Sequence, residues 1–464
     1  MARCLRFELN PVIETRGLFR VMPSDLRRSM GLPHAGAMVV GTILGASIFI
    51  QPSEIAGLVP NAGGLVLVWL AAGGLTLCGA LVCAELASAF PLTGGVYVFL
   101  RQIFSPALGF LWGWAMFWVM HSGIVAAIAV VLARYAGYFL PLSEYGIRWF
   151  AIAVIAALSL VNCLGVKPGS TLQLILTSVK LAAVTLMVVI LLGRGGPAHR
   201  ALLSASPASA ISIRNYGLAV AAGLFAYGGW HMVTYAAGET RNAEQVIPRA
   251  LVIGMAVVTA IYMLVNAAYT YVLPLSEVAR SSRVAAEATE HVLGAGAGGL
   301  IAGLVVLSAL GALSGIILAG PRVYYAMAGD GLAFRWLGKV HPRGQVPHVA
   351  IATQAVWSCV LVATNSYRQL FTRVVYTEWL FFAMLAAGIF VLRRRSDYRP
   401  RFRTPGYPFV PALSILAATS VVFNEIRADP RGGAMGLGLI LLGVPVYFVW
   451  SHRGSRKAAA DAGH

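Results

Sequence analysis

Two glycine-containing stretches interrupt long apolar segments of the chain: Gly41-Thr42-Ile43-Leu44-Gly45-Ala46-Ser47-Ile48-Phe49 in the first segment and Phe225-Ala226-Tyr227-Gly228-Gly229-Trp230 in the sixth. Inside a bilayer, backbone that leaves the helix exposes N–H and C=O groups that hydrocarbon cannot satisfy. Such a break persists only where it lines a cavity or binds something. The two stretches therefore predict two discontinuous membrane helices.

The composition predicts that most of the chain lies in a membrane. Hydrophobic residues make up 58% of the 464 residues and charged residues only 11%, whereas roughly 25% of a typical soluble protein is charged. The mean hydropathy is +0.77. Because so little polar surface is available to face water, we expect an all-α integral membrane protein.

Apolar stretches of spanning length recur along the whole chain. A helix that crosses a bilayer needs roughly 20 apolar residues. About twelve such stretches start near residues 36, 63, 106, 147, 170, 213, 247, 296, 346, 374, 407 and 434. The two breaks lie five spans apart, in the first and the sixth. Matching breaks in the two halves of a membrane protein indicate the central site of a transporter.

The net charge of +18 is concentrated on one side of the predicted membrane. With the N-terminus in the cytoplasm, the inner side holds Arg16, Arg20, Arg27, Arg28, Arg335, Lys339, Arg343, Arg393, Arg394, Arg395, Arg399, Arg401, Arg403, Arg453, Arg456 and Lys457. The opposite loops hold fewer basic residues, which is the positive-inside pattern. We expect a multi-pass protein of the plasma (inner) membrane with both termini cytoplasmic, and no nucleic-acid partner.

Other functional classes find no support in the sequence. No small-residue cleavage site follows a short apolar core near the N-terminus, so no removable signal peptide is predicted. The five cysteines have neither metal-ligand spacing nor an outer-loop position suited to a disulfide. Because phosphate loops, catalytic triads and metal clusters are also missing, we expect no cofactor, no metal and no enzymatic activity.

A series of short motifs is similar to one known superfamily. In chain order they are Gly45-Ala46-Ser47-Ile48-Phe49, Ala84-Glu85-Leu86, Gly94-Gly95-Val96-Tyr97, Val161-Asn162, Lys180, Gly223 to Trp230, Glu239-Thr240-Arg241-Asn242 and Ile247-Pro248-Arg249-Ala250. Their order and spacing resemble the amino acid, polyamine and organocation transporter superfamily, and above all the L-type amino acid transporters and their bacterial relatives. The resemblance runs from about Gly36 to Trp450.

The resemblance implies a LeuT-type fold of two inverted five-helix repeats and two peripheral helices, with helices one and six discontinuous. The corresponding parts of the chain are a tail (1–34), the first repeat (35–195), the second repeat (196–395), helices eleven and twelve (396–453) and a second tail (454–464). The implied substrate is an amino acid, and no cofactor is implied.

The first break offers a site for the carboxylate of an α-amino acid. A half-helix that begins near Ile48 presents unpaired N–H donors and the positive end of its dipole. The predicted contacts are Ile43, Gly45, Ala46, Ser47 and Ile48. The alternative is that the glycines form a small-residue packing face between membrane helices. The family motif here is Gly-Ser-Gly, whereas this chain has Gly45-Ala46-Ser47, so we expect an altered pocket near the carboxylate.

The second break offers acceptors for an ammonium group. Carbonyl groups of Phe225, Ala226 and Gly228 would be released where the helix is interrupted, and the resemblance makes the Phe225 ring a candidate outer gate. A flexible kink with a packed aromatic ring is the alternative. His231 follows directly, and it either faces the pocket or packs within the helix.

Lys180 lies near the middle of the fifth span. It is about ten residues from either end, so at about 1.5 Å per residue its stem does not comfortably reach an interface. A buried ammonium needs acceptors. The resemblance places this lysine beside the first break, where sodium-coupled relatives hold a sodium ion. It therefore implies that Lys180 replaces the ion and that transport is sodium-independent.

Three further polar or aromatic residues are predicted to line the pocket. Glu378 lies in the tenth span, where charge is costly and usually functional. It would pair with a cationic substrate, take a proton or hold a helix by a hydrogen bond, and the sequence leaves these roles open. Trp379 would pack beside the substrate side chain. Ser314 either contacts substrate or satisfies its own helix backbone.

Four charged residues lie near the predicted inner ends of helices. They either form charge pairs that hold an inner gate shut or are surface charges at the membrane interface, and the two roles are equal alternatives. The four residues are Glu85, Arg241, Arg249 and Arg322.

The function that these features predict is secondary amino acid transport by alternating access, as a sodium-independent exchanger or uniporter of L-amino acids. A polyamine or organocation carrier and a proton-coupled amino acid carrier of the same fold are alternatives, and a membrane amino acid sensor is an alternative of another class. Animal L-type relatives are linked by a disulfide to a heavy chain through a cysteine between helices three and four. This chain has no cysteine in the corresponding stretch, 140–146, so we expect no such partner.

Overall fold

The computed structural model describes residues 26, 28–45, 47–194, 212–281, 283–294, 296–364, 367–428 and 430–461. This part of the chain is almost entirely helical and contains no strand, with one isolated parallel bridge between Met30 and Thr240. Within it, the prediction of an all-α protein is confirmed.

The helices of the first half follow one another in a sequence of long and short elements. They are α1 (Leu32–Ile43), α2 (Gln51–Leu58), α3 (Ala62–Ala89), α4 (Val96–Ile103), α5 (Pro106–Ala136), α6 (Glu144–Cys163) and α7 (Val166–Arg194). A 3₁₀ segment, Ser47–Phe49, lies between α1 and α2. The first apolar segment is thus interrupted where the sequence predicts, although regular α-helix resumes only at Gln51.

The second half begins with the other interrupted helix. Its helices are α8 (Ile213–Ala226), α9 (Ala243–Val272), α10 (Leu275–Arg280), α11 (Val284–Leu293), α12 (Gly298–Ala319), α13 (Pro321–Gly329), α14 (His348–Thr364), α15 (Tyr367–Leu392), α16 (Phe409–Ala428) and α17 (Pro430–Asp461). A ten-residue 3₁₀ segment, Trp230–Glu239, follows α8 and is kinked at Ala236, whose backbone angles are not helical. The second break therefore also lies where the sequence predicts it.

Local side chains define where several helices begin. The side-chain oxygens of Asn61, Ser105, Ser143 and Ser212 each accept a hydrogen bond from the backbone N–H three residues further on. The first N–H groups of a helix have no partner within the helix, and such a cap contributes about 1 kcal/mol. These residues consequently set the starts of α3, α5, α6 and α8.

Six helical segments are long and apolar enough to cross a membrane by length and composition: Ala62–Ala89, Pro106–Ala136, Glu144–Cys163, Val166–Arg194, Ala243–Val272 and Gly298–Gly329. Shorter apolar helices occur at Leu32–Ile43, His348–Thr364, Thr377–Leu392, Phe409–Asn424 and Ala434–Trp450. Together with α8, these segments lie close to all the starts predicted from the sequence.

Helix α1 lies inside the bundle, packed against α7, α9 and α12. Small residues make the close approach possible. A Cβ atom at Gly41 would collide with the side chains of Gln173 and Thr177 on α7, and one at Gly254 would lie 2.5 Å from Val39 on α1. The break at the end of α1 is therefore surrounded by other helices.

Helices that are five spans apart in the sequence also pack side by side. Helix α3 lies along α9, α5 along α12 and α6 along α14, and α1 contacts the 3₁₀ segment that continues the sixth span. The two halves of the chain therefore pack against each other through helices at corresponding positions.

Candidate substrate site

The two helix breaks meet inside the bundle and are joined by side-chain hydroxyls. The Tyr262 hydroxyl on α9 lies 2.8 Å from the carbonyl oxygen of Ala226 and 3.2 Å from that of Ile43. It therefore bridges the last residues of α8 and α1. Thr42 adds a direct link, since its Oγ1 lies 3.1 Å from the carbonyl oxygen of Gly229.

The first break combines a helix end with a helix start. Helix α1 ends at Ile43, and the 3₁₀ segment begins at Ser47, whose Oγ lies 3.5 Å from the carbonyl oxygen of Ala226. Ile48 is fully buried, whereas Gly45 and Ser47 are partly exposed. Ala46 lies outside the described residues. Because the first N–H groups of a helix lack intrahelical partners, this turn is suited to an anionic group.

Lys180 occupies the end of α1. Its side chain is completely buried, and its Nζ donates to the carbonyl oxygen of Gly41 at 3.1 Å and to that of Leu44. Ser308 on α12 donates to the same region, with Oγ 3.0 Å from the Leu44 oxygen and 3.2 Å from the Gly45 oxygen. We call the oxygens of Gly41, Leu44 and Gly45 the α1 carbonyl cluster.

This arrangement needs a glycine on the facing helix. A Cβ atom at Gly311 of α12 would lie 3.0 Å from Cε and 3.1 Å from Nζ of Lys180. The helix end also carries the negative end of its dipole, so a cation is favourable there. An ammonium group thus satisfies carbonyls that a helix end would otherwise leave without donors.

The second break has fewer free carbonyl groups than the sequence predicts. The Phe225 oxygen accepts from the Gly228 N–H at 3.0 Å, and the Ala226 oxygen accepts from Tyr262. The Phe225 side chain is partly exposed and packs against the buried core. Gly229 has φ +102°, and a Cβ atom there would lie 3.0 Å from the Thr42 oxygen. Both features require glycine.

Glu378 pairs with His231, the residue that follows the second break. Their Oε1 and Nε2 atoms are 3.0 Å apart, and the His231 side chain is fully buried. Four aromatic rings surround the imidazole, those of Trp112, Trp230, Tyr235 and Phe382. Glu378 and His231 thus form a close pair within the bundle, and the roles left open for Glu378 stay predictions.

The two other pocket candidates, Trp379 and Ser314, lie on α15 and α12. Trp379 is buried and packs against Phe382, with ring centroids 5.7 Å apart. Ser314 is buried on α12, next to Gly315, at which a Cβ atom would lie 2.8 Å from Thr42 Cγ2. In the described part of the chain the Ser314 hydroxyl has no hydrogen-bond partner. A contact of either residue with substrate stays a prediction.

Two of the four charges predicted near the inner helix ends, Glu85 and Arg322, are buried and bind an oppositely charged side chain. Arg322 binds Glu239 with both ends of its guanidinium, at 3.0 and 2.8 Å, and neither side chain is exposed. Arg393 binds Glu85 in the same way, at 3.0 and 2.7 Å, and this bond raises the pKa of the arginine. The sequence does not predict the partners, Glu239 and Arg393, because they lie 83 and 308 residues away along the chain.

Glu239, the partner of Arg322, also binds the segment before α1 through its backbone. The Glu239 carbonyl oxygen accepts from the N–H groups of Ser29 and Met30, at 2.9 and 3.0 Å. The starting end of the first interrupted helix is thereby tied to the far end of the second. The remaining two predicted charges, Arg241 and Arg249, are exposed.

Comparison with known proteins agrees with this arrangement. A family model described as amino acid permease matches residues 30–448. The serine/threonine exchanger SteT of Bacillus subtilis (strain 168) is 31% identical over 435 residues, which cover 92% of this chain and 97% of that protein.

Two human transporters show similar coverage. The large neutral amino acids transporter small subunit 2 is 30% identical over 446 residues, covering 92% of this chain and 82% of its own length. The cystine/glutamate transporter is 28% identical over 434 residues, covering 92% and 86%. The resemblance found in the motifs is confirmed, and the chain belongs to the amino acid permease family of membrane transporters.

Proposed function

We propose that the protein carries L-α-amino acids across the membrane by alternating access, as a sodium-independent exchanger or uniporter that makes and breaks no covalent bond. The observation that carries this proposal is the meeting of the two helix breaks, bridged by Tyr262 between the oxygens of Ile43 and Ala226. Paired breaks of this kind form the central sites of secondary transporters.

The chemistry of the breaks matches the backbone of an amino acid. The turn from Gly45 to Ile48 offers N–H groups and a positive dipole end to a carboxylate. The carbonyl groups of Phe225, Ala226 and Gly228 offer acceptors to an ammonium group, and a carbonyl that already accepts one hydrogen bond keeps a second lone pair. The carboxylate and the ammonium group of an α-amino acid are close together, and so are the two breaks that would bind them.

The packing supports a LeuT-type fold of twelve spans with two inverted repeats. In such a fold each helix of one repeat has a counterpart five spans later. The contacts of α3 with α9, α5 with α12 and α6 with α14 join counterparts of this kind. We propose the same boundaries as above, 35–195 and 196–395, for the repeats.

Lys180 supports the proposal of sodium independence. Sodium ions in transporters of this type are coordinated by carbonyl groups of unwound helix. In this protein the α1 carbonyl cluster already receives an ammonium group from Lys180 and a hydroxyl from Ser308. Lys180 therefore supplies at this site the positive charge that a bound sodium ion would otherwise supply.

Exchange, location and subunit composition follow from other features. The name of the Bacillus subtilis relative supports exchange rather than uniport. The concentration of basic residues on one side supports cytoplasmic termini and the plasma (inner) membrane. Cys78, Cys83, Cys163 and Cys359 are unpaired and lie in helices, so we propose that the protein works without a disulfide-linked heavy chain.

Proton coupling is a second candidate function, favoured by the buried pair of His231 and Glu378. Intramembrane carboxylates and imidazoles form proton relays in transporters, and here the two groups lie 3.0 Å apart beside an interrupted helix. Uptake would then increase with a proton gradient directed into the vesicle.

Counterflow into proteoliposomes that contain the full chain tests these proposals. Vesicles are loaded with one unlabelled amino acid and supplied with the same amino acid in labelled form, over a panel of the common amino acids. Sodium and pH are varied separately. We expect labelled substrate to accumulate without sodium, whereas a strict requirement for sodium, or no counterflow with any amino acid, would contradict the proposal.

A further inference from the structure

A basic cavity of about 280 Å³ lies away from the helix breaks. His34, in the first turn of α1, lines it, whereas the break is at the other end of that helix. At 1.5 Å per residue the two are separated by roughly 14 Å. The cavity is on the side that the charge distribution predicts to be cytoplasmic.

Four separate segments of the chain form this cavity. They are the stretch before α1 with its first turn, the start of α7, the residue Arg241 after the second 3₁₀ segment, and the loop before α14. Lys167, Arg241 and Arg343 line it, and none of the described residues that line it is acidic. Cations that converge without a counter-charge attract an anion.

The two acidic residues nearest to Arg241 in the sequence, Glu239 and Glu244, are paired with other arginines. Glu239 binds Arg322 and is fully buried. Glu244 binds Arg401 at 3.0 Å. The polar contact that the structure gives the Arg241 side chain is to the Arg28 carbonyl oxygen, at 3.5 Å.

Two further polar side chains that line the cavity have unused hydrogen-bonding capacity. Ser29 Oγ and His34 Nδ1 are buried and have no hydrogen-bond partner among the described residues. Helix α7 begins at Val166, directly after Gly165 with φ +147°, and both residues line the cavity. The start of a helix adds N–H donors and a positive dipole end.

We propose that this cavity binds a negatively charged phosphate group. The combination of two arginines, a lysine, a hydroxyl, an imidazole and a helix start is the chemistry that recognises phosphate oxygens. The group belongs either to an anionic phospholipid or to a free phosphate. Basic pockets between membrane helices on the cytoplasmic side bind such head groups.

Bound phosphate would also link segments that belong to different parts of the bundle. His34 is on the first interrupted helix, and Arg241 follows the second. Lys167 is on α7, and Arg343 precedes α14. An anion that contacts all of them holds the ends of both interrupted helices against their neighbours.

Native mass spectrometry of the full chain in detergent tests the proposal. The probes are short-chain phosphatidylglycerol, phosphatidylcholine with the same acyl chains, and inorganic phosphate as a competitor. The variants are Lys167→Gln and Arg343→Gln, and the matched controls are Lys339→Gln and Arg335→Gln. All four side chains are exposed, so these replacements leave the core intact, and the control residues do not line the cavity.

We expect phosphatidylglycerol to bind more tightly than phosphatidylcholine, and each cavity variant to weaken its binding about fivefold while the controls match the parent. Displacement of the lipid by inorganic phosphate would assign the site to free phosphate, and resistance to displacement would assign it to the lipid head group. Equal binding of the two lipids with no competition by phosphate, or equal losses in cavity and control variants, would overturn the proposal.

Discussion

Replacement of Lys180 by alanine is expected to abolish amino acid exchange. The ammonium donates to the oxygens of Gly41 and Leu44 from a completely buried position. A hydrogen bond to a charged group contributes about 1.5 to 3 kcal/mol, so the loss of two removes roughly 3 to 6 kcal/mol from the conformation of the first break. At about 1.4 kcal/mol per factor of ten, even the lower value reduces the population of that conformation about a hundredfold.

The assay is exchange of labelled amino acid in proteoliposomes, with size-exclusion elution as the measure of folding. Lys180→Met keeps most of the buried stem and removes the charge, so it should lose exchange while it still folds. Lys339→Ala, at an exposed lysine, is the matched control and should exchange like the parent. Parental exchange by folded Lys180→Met would refute the reasoning, because the charge would then be dispensable.

Three further substitutions test individual parts of the site. Tyr262→Phe removes the hydroxyl between the two breaks and should slow exchange about tenfold, since unpaired buried groups cost about 1 to 3 kcal/mol. Its control is Tyr269→Phe, because the Tyr269 hydroxyl has no hydrogen-bond partner in the described part of the chain. An equal effect of the two substitutions would count against the bridge. Phe225→Ala should reduce transport far more than substrate binding, because a gating ring is needed chiefly in the occluded state; unchanged transport would show that the ring only packs. If protons are coupled through His231, Glu378→Gln should abolish the stimulation of uptake by external acid and leave exchange at equal pH intact, whereas a retained stimulation would exclude the pair from coupling.

The positions of the helices and of both breaks could be predicted from the sequence, because each depends on local composition. Runs of apolar residues set the spans, and the glycines near Gly45 and Gly229 set the interruptions. Lys180 could also be recognised, since a lysine near the middle of an apolar span needs acceptors. Its acceptors proved to be carbonyl groups at the end of α1.

The partners that complete the site could not be predicted. Tyr262 lies within an apolar span, where an aromatic side chain reads as packing, and Ser308 reads as a residue that bonds its own helix. Glu378 and His231 are brought together by packing between distant helices, and one sequence carries no signal for that contact. The same holds for Arg322 and Glu239, which are 83 residues apart.

Recognition of the amino acid backbone is the central claim, and competition in the counterflow assay tests it most directly. A transported amino acid is compared with its decarboxylated amine and its N-acetylated form as competitors for uptake. Loss of one charge-assisted contact, about 1.5 to 3 kcal/mol, predicts competition weakened roughly ten- to a hundredfold. If the simple amine competes as well as its parent amino acid, no carboxylate site exists between Gly45 and Ile48, and the protein is a carrier of organic cations instead.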